Sequence, residues 1–128
     1  MSQPIELEGL RVTVDRVVFH PEAKAPPERP YCFVYFVTIH NDSEVPVTIR
    51  GRKWVVRGDD GDVSVVEGDG VVGQTPLLQP GDEFNYNSFH LLHTLSAVAE
   101  GAYLGVDGGG RPVFTRIPRF SMVVPPTD

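Results

Sequence analysis

Apolar and polar residues alternate with period two over much of the chain. The alternation is cleanest where Phe84 and Tyr86 fall on one parity and Asn85 and Asn87 on the other. Residues 31–41 are apolar at both parities, as in a strand that is covered on both faces. The other strand-like runs are residues 11–19, 47–56, 62–67, 83–89, 101–106, 112–117 and 120–124. This pattern predicts a chain built mainly from β-strands.

Glycine and proline separate these runs and predict the turns. Asp60-Gly61 is a strong hairpin signal, because glycine accepts a positive φ without a steric cost. Pro80-Gly81 is the residue pairing of a type II turn. Residues 21–30 contain four prolines and therefore predict an extended loop between the first two long strands.

Only residues 91–103 show apolar side chains at helical spacing, and we expect one short turn of helix there. Everything else fits about seven or eight antiparallel strands. The prediction is an all-β immunoglobulin-like or fibronectin type III-like β-sandwich. The chain, residues 1–128, is expected to form a single domain with its core at about residues 10–125.

Composition narrows the classes of partner. The net charge of −6 argues against nucleic-acid binding, and the only basic cluster is Arg50, Arg52, Lys53 and Arg57. No apolar run approaches the roughly 20 residues of a membrane span, so no membrane partner is expected. Cys32 is the only cysteine and predicts a small buried apolar residue. With no secretory signal visible at the N-terminus, we expect a cytoplasmic protein.

Three glycines, Gly68, Gly70 and Gly73, have the G-x-G-x-x-G spacing of dinucleotide-binding loops. Such a loop opens a helix whose N-terminus holds the pyrophosphate. Here Pro76 follows too soon for a helix, and the intervening valines favour extended backbone. The segment is therefore predicted to be a glycine-rich strand and bend.

Two binding alternatives stay open around the basic cluster. The glycine segment could form an anion-binding nest that, with Arg50 and Arg52, holds a phosphate ligand such as a dinucleoside polyphosphate. Alternatively, Arg52 and Trp54 could form a surface patch for a protein partner, since both residue types are enriched in interface hot spots. For Trp54 a place in the sandwich core is the favoured interpretation.

The residues that could carry catalysis or bind metal are few. His90 and His93 would point to opposite faces of a strand and could share an ion only on a helical turn. Asp59, Asp60 and Asp62 predict a solvated hairpin tip that could hold Mg²⁺ only loosely. No nucleophile stands beside a base, so we expect a non-enzymatic protein with no cofactor and no resident metal.

A series of ordered motifs resembles the ApaG domain family and covers nearly the whole chain. The motifs are Arg52-x-Trp54, Gly61, residues 67–73, residues 76–81, residues 84–88, residues 101–106 and residues 114–125. The chain departs from the family pattern at Phe89, where the family usually has glycine, and again at residues 96–101. The segment between Ser88 and Gly101 is therefore expected to differ in shape or partner.

The resemblance implies a fibronectin type III-like fold, no established catalytic activity and a link to cobalt and magnesium resistance. In larger proteins the domain looks like a protein-interaction module, which makes an unidentified protein partner the leading expectation. Phosphate binding at the glycine segment and direct binding of a divalent ion remain the alternatives. An exposed edge strand also makes a homodimer conceivable.

Overall fold

The computed structural model describes residues 3–126, which fold into two stacked β-sheets. The strands are β1 (Ile5–Glu6), β2 (Leu10–Phe19), β3 (Tyr31–Asn41), β4 (Val47–Gly58), β5 (Val63–Asp69), β6 (Leu77–Leu78), β7 (Glu83–Leu92), β8 (Ser96–Asp107) and β9 (Pro112–Val123). The predicted all-β sandwich is confirmed. None of the described residues belongs to a helix, so none forms a helix long and apolar enough to cross a membrane.

The larger sheet has the order β1-β9-β8-β4-β5, with β6 also paired to β4, and the smaller sheet has the order β2-β3-β7. Every pairing is antiparallel except that of β1 with β9, which is parallel. The sequence predicted seven or eight antiparallel strands. It missed β1 and β6 because a strand of two residues is too short to show an alternating pattern.

The predicted helical turn in residues 91–103 is wrong. Strand β7 continues to Leu92 and β8 begins at Ser96, with a tight turn between them. Leu92 is buried, whereas Leu95 lies exposed in the turn. The apparent helical spacing arose because two strands, each with period two, meet across a turn that shifts their phase.

The core lies between the sheets and is mostly aliphatic, with a cluster of aromatic rings around Trp54. Trp54 is 1% exposed, and its ring centroid lies 4.8 Å from that of Tyr35 on the opposite sheet. Cys32 is also buried, as predicted. The favoured core position of Trp54 is therefore what the structure shows, and little of its surface is left for a partner to touch.

The larger sheet has two unlike edges. One edge is formed by the seven-residue strand β5. At the other edge, β1 contributes only two residues and pairs with Val113 and Phe114, while Pro118 and an irregularity in the β8–β9 register interrupt the rest of β9. Short strands, prolines and bulges are the features that protect sheet edges from further pairing. The long, regular edge of this sheet is therefore β5.

Candidate binding groove between two sheet edges

A groove of about 670 Å³ opens where β5 of the larger sheet and β7 of the smaller sheet run along the same side of the sandwich. We call it the edge groove. Its lining residues are Arg29, Tyr35, Arg52, Trp54, Val56, Ser64, Val65, Val66, Ser88, Phe89, His90 and Leu91. The groove thus unites Arg52 and Trp54, two residues singled out by the sequence, with residues from the opposite sheet.

The floor of the edge groove is aromatic and contains unsatisfied polar atoms. His90 stacks on Tyr35 with ring centroids 4.9 Å apart and meets Trp54 edge-on at 4.7 Å. His90 Nε2 and Trp54 Nε1 are both buried without a hydrogen-bond partner among the described residues. Burial lowers the pKa of His90 to about 4, so the ring is neutral at pH 7. Buried polar atoms without a hydrogen-bond partner are costly, and two of them lie in the floor of the edge groove.

The rims of the edge groove are apolar and face solvent. Val65 and Val66 on β5 are 57% and 46% exposed, and Phe89 on β7 is 56% exposed. Val66 lies on the groove-side face of β5, whereas Val65 and Phe89 have the opposite parity to Val66 and His90 and stand at the outer lip of the groove. Exposed apolar side chains gathered on both sides of a cleft are typical of a surface that binds another molecule.

The backbone along β5 is left open toward solvent. The N–H of Gly58 donates to the carbonyl of Asp62 at 2.9 Å, and the N–H of Gly70 donates to that of Arg50 at 2.7 Å. Both pairs keep the β4–β5 register. Because bonded and non-bonded pairs alternate in antiparallel sheets, even-numbered residues of β5 bond to β4 and odd-numbered residues point their backbone groups away. No described strand pairs with that side of β5.

Arg52 lies on the same face of β4 as Trp54 and reaches across β5. Its Nη1 donates to the carbonyls of Asp69 at 2.8 Å and Gly70 at 3.0 Å. The guanidinium passes over Gly68, where a Cβ would lie 2.8 Å from Arg52 Cζ. Because Arg52 shares the parity of the buried Trp54, its charge must find a partner or reach solvent. The structure shows that it bonds the glycine segment and ends beside the free edge of β5.

A second arginine enters the edge groove from the proline-rich loop. Arg29 Nη1 donates to the Leu91 carbonyl at 3.4 Å. Within residues 3–126, neither Arg29 nor Arg52 has a carboxylate at ion-pairing distance. The edge groove therefore carries positive charge that no described acidic residue neutralises, although the protein as a whole is acidic.

The glycine segment is a strand end followed by a tight turn. Val71 and Gln74 exchange backbone hydrogen bonds of 2.7 and 3.0 Å around Val72 and Gly73, whose φ values are +48° and +77°. Positive φ at both central residues is the signature of a type I′ turn. The N–H groups of Gly70, Val71 and Gln74 all donate to backbone carbonyls, so they are not free to converge on an anion. The predicted strand and bend is confirmed.

The fold brings together some of the residues proposed for phosphate binding. Arg50, Arg52 and Gly68 line a second depression of about 640 Å³ on β4 and β5, together with Lys53, Glu67 and Asp69. Gly73 lines neither this depression nor the edge groove. Glu67 pairs with Lys53 at 3.6 Å, so this depression carries charges of both signs.

The hairpin tip between β4 and β5 meets the turn between β7 and β8. His93 Nε2 lies 2.7 Å from Asp60 Oδ2 and 3.5 Å from Asp62 Oδ2. The pKa of Asp60 is lowered, first by the hydrogen bond from the Asp62 N–H and then by that from His93. His90 is buried in the edge groove, whereas His93 is on the surface, so the two histidines do not share a site.

Comparison with known proteins shows which family the chain belongs to. A family model described as the ApaG domain matches residues 21–107. A protein named ApaG from Anaeromyxobacter sp. (strain K) is 42% identical over 120 residues, which is 94% of each chain. The chain belongs to the ApaG domain family. The Escherichia coli protein ApaG is 36% identical over 116 residues, 90% of this chain and 93% of that protein.

The fold of the ApaG family also matches in three dimensions. The crystal structure of a Bordetella pertussis protein described as ApaA superposes with a TM-score of 0.83 at 35% identity, covering 97% of this chain and all of that one. A protein described as a late embryogenesis abundant protein has a TM-score of 0.60 at 8% identity and so shares the fold alone.

Sequence reasoning missed the groove residues that come from β5 and β7. Val65 and Val66 looked like ordinary strand residues, and nothing in the sequence shows that β5 and β7 border one groove. Phe89 did give a signal, because it departs from the glycine usual in the ApaG pattern, and the structure places it exposed on the rim. That departure could have indicated a surface particular to this chain.

Proposed function

We propose that this chain is a non-catalytic binding module and that the edge groove holds an extended segment of a partner protein. The observation that supports this most directly is the combination of a free strand edge on β5 with an apolar groove beside it. Peptides commonly bind by adding a strand to an exposed edge, where backbone bonds give affinity and side-chain pockets give specificity. An edge beside a groove offers both.

The polar groups of the edge groove favour binding over turnover. His90 has a pKa of about 4, far below the range useful for a general base at neutral pH. Burial raises the pKa of Tyr35, which makes its hydroxyl a weaker acid than a free tyrosine. The planar guanidinium groups of Arg29 and Arg52 are suited to holding a carboxylate.

The proposal is tested by selecting peptides of about twelve residues, long enough to span β5, from a displayed random library on the immobilised protein. Selected peptides should bind the Phe89→Ala variant at least tenfold more weakly, because the rim contact is lost. The matched control is Val123→Ala, which removes an exposed apolar side chain on β9, 61% exposed and outside the groove. Failure to select any peptide, or equal binding by Phe89→Ala, would contradict the proposal. So would steady turnover of nucleotides or phosphoesters by the pure protein.

A second candidate function is direct binding of a divalent ion at the hairpin tip. Ligand atoms of Asp60, Asp62 and His93 lie within 4.8 Å of one another. Two carboxylates and one imidazole suit Co²⁺ better than Mg²⁺, which prefers oxygen ligands alone. Calorimetric titration with CoCl₂ and MgCl₂ tests this, with Asp62→Asn as the site variant and Glu28→Gln as the control. Binding that Asp62→Asn does not weaken, or no binding of either ion, would rule the site out.

A further inference from the structure

We propose that the edge groove selects its partner by a two-position pattern on a strand added to the free edge of β5: an acidic side chain and an apolar side chain two residues apart. The inference rests on the proposed function and specifies the segment that the groove accepts. The acidic side chain lies beside Gly68 and meets Arg52. The apolar side chain lies beside Val66 and packs against Phe89.

The spacing follows from the register of β4 and β5. Arg52 is paired with Gly68, and Trp54 is paired with Val66. Each pair forms a row perpendicular to the strands, and the side chains of both rows lie on the groove side of the sheet. Residues two apart on a strand share a face. An added strand therefore extends both rows by one residue each, with its two inward side chains about 7 Å apart.

The positive charge of Arg52 determines which residue of the added strand lies beside Gly68. Because Gly68 has no side chain, the Arg52 guanidinium lies over it and reaches the edge of the sheet. Arg52 Nη1 is engaged by two carbonyls, which leaves Nε and Nη2 without a hydrogen-bond partner among the described residues. A carboxylate at this position would form charge-assisted bonds with an arginine that has no acidic partner.

The exposed apolar surface of Val66 and Phe89 determines which residue of the added strand lies beside Val66. Val66 and Phe89 are both about half exposed, and they flank the buried Trp54. An apolar side chain beside Val66 would cover the exposed surface of Val66 and extend toward Phe89 at the outer lip of the groove. A polar side chain there would lose its contacts with water and find only the apolar rims, so the pattern requires an apolar residue.

The edge of β5 offers an open run of backbone groups beside Gly68 and Val66. One outward carbonyl is already engaged at each edge: that of Leu91 on β7 accepts from Arg29, and that of Asp69 on β5 accepts from Arg52. The outward backbone groups of Val63, Val65 and Glu67 have no such bond from any described residue. Val65 therefore stands at the centre of an open run of three residues.

A second copy of this chain does not supply the required pattern. If two β5 edges joined antiparallel, the inward side chains of the second β5 would be Ser64, Val66 and Gly68, none of which carries a carboxylate for Arg52. Two copies with a net charge of −6 each would also repel one another. The occupant is therefore an extended segment of a different protein.

The test measures fluorescence anisotropy of a labelled threonine-rich peptide that carries Glu and Val two residues apart. We expect binding to the wild type, a loss of affinity of roughly tenfold when Glu is replaced by Gln, and a similar loss when Glu and Val are made adjacent.

Protein variants test the same contacts from the other side. The Glu-to-Gln change in the peptide should have no effect on binding to the Arg52→Gln variant. Gly68→Ala, which keeps the charge but displaces the guanidinium, should also weaken binding. Arg50→Gln is the control. Amide exchange at Val65 and Glu67 should slow when peptide is bound.

The outcomes separate this inference from the proposed function. If library peptides bind in a Phe89-dependent way but tolerate loss of the acidic residue, the groove binds proteins and the pattern is wrong. If neither library nor designed peptides bind, both fail. If the protein sediments as a dimer and Val65→Lys makes it monomeric, a second copy occupies the edge and the inference is overturned.

Discussion

Gly70 occupies a place in the glycine segment that no other residue fits. Its φ is +64°, and a Cβ would lie 2.5 Å from the backbone oxygen of Gln74. Gly73 also has a positive φ, of +77°, but its Cβ would meet nothing within 4 Å. At Gly68 an added Cβ would touch only the movable end of Arg52. The three glycines of one motif are thus required for three different reasons.

Alanine substitutions should separate these reasons. We expect Gly70→Ala to lower the free energy of unfolding by roughly 3 kcal/mol, because both the dihedral and the backbone contact are unfavourable. Gly73→Ala should cost about 1 kcal/mol, for the dihedral alone. Urea unfolding followed by tryptophan fluorescence measures both. Equal losses would show that the backbone contact at Gly70 relaxes without cost.

Val72 is a β-branched residue with φ of +48° and a half-exposed side chain. Such residues are disfavoured in the left-handed region, whereas Asn-Gly is the preferred pair for a type I′ turn. Val72→Asn should therefore stabilise the protein by about 1 kcal/mol and raise Tm by roughly 3 °C. Differential scanning calorimetry measures the change. A lower Tm would mean that Val72 makes stabilising contacts that outweigh its backbone strain.

The sequence predicts the burial and turn positions of single residues better than it predicts their hydrogen-bond partners. The burial of Trp54 and the turn at Gly61 follow from parity and turn chemistry, and both are found. The bonds that Arg52 makes with the carbonyls of residues 69 and 70 could not be predicted. They depend on how the end of β5 is placed beside β4, which the sequence does not show. Parity shows which face a side chain takes but not what it meets there.

At the scale of elements, period two predicted the long strands, but it began β8 at residue 101 instead of Ser96 and divided β9 into two runs, 112–117 and 120–124. It failed where the signal was short or where two strands meet, as at β1, β6 and the β7–β8 turn. It could not show that β5 and β7 border one groove, since that depends on which strands occupy the sheet edges. Candidate sites that combine two edges are therefore the least accessible to sequence reasoning.

The β8–β9 hairpin depends on one acidic side chain. Asp107 accepts hydrogen bonds from the N–H groups of Gly109 and Arg111 and from Arg111 Nε. These interactions, chiefly the bond from the Arg111 N–H, lower the pKa of Asp107. A lowered pKa means that the contribution is complete above the unfolded value near 4 and is lost as the pH falls through the folded value.

We accordingly expect Asp107→Ala to lower Tm at pH 7 by a few degrees and to have a smaller effect at pH 3. Thermal unfolding monitored by circular dichroism at the two pH values measures this. Asp82→Ala, at the turn before β7, provides a comparison at another loop carboxylate. A loss for Asp107→Ala that is the same at both pH values would contradict the assignment.

For the whole molecule, the neutral buried histidine predicts how stability depends on pH. His90 has a folded pKa of about 4 against 6.5 for an exposed histidine, because burial disfavours its charged form. The unfolded chain therefore binds the proton more readily. Stability is complete above pH 6.5 and falls as the pH drops toward 4, by on the order of 3 kcal/mol.

The variant His90→Phe keeps an aromatic ring against Tyr35 and Phe120 but cannot titrate. Its stability should be nearly constant between pH 4 and 6.5, apart from what other groups contribute. Urea unfolding across this range compares it with the wild type and with the exposed-site control His93→Asn. A slope as steep as that of the wild type would assign the acid sensitivity to another group.

The unequal edges of the larger sheet limit how many molecules can join through it. A sheet that is open on both sides can be extended repeatedly, as in fibrils. Here β5 is long and regular, while the opposite side ends in a two-residue strand and an interrupted β9. This sheet can therefore accept only one added strand, at the β5 edge. Once that strand is bound, no further molecule can join the sheet through its edges.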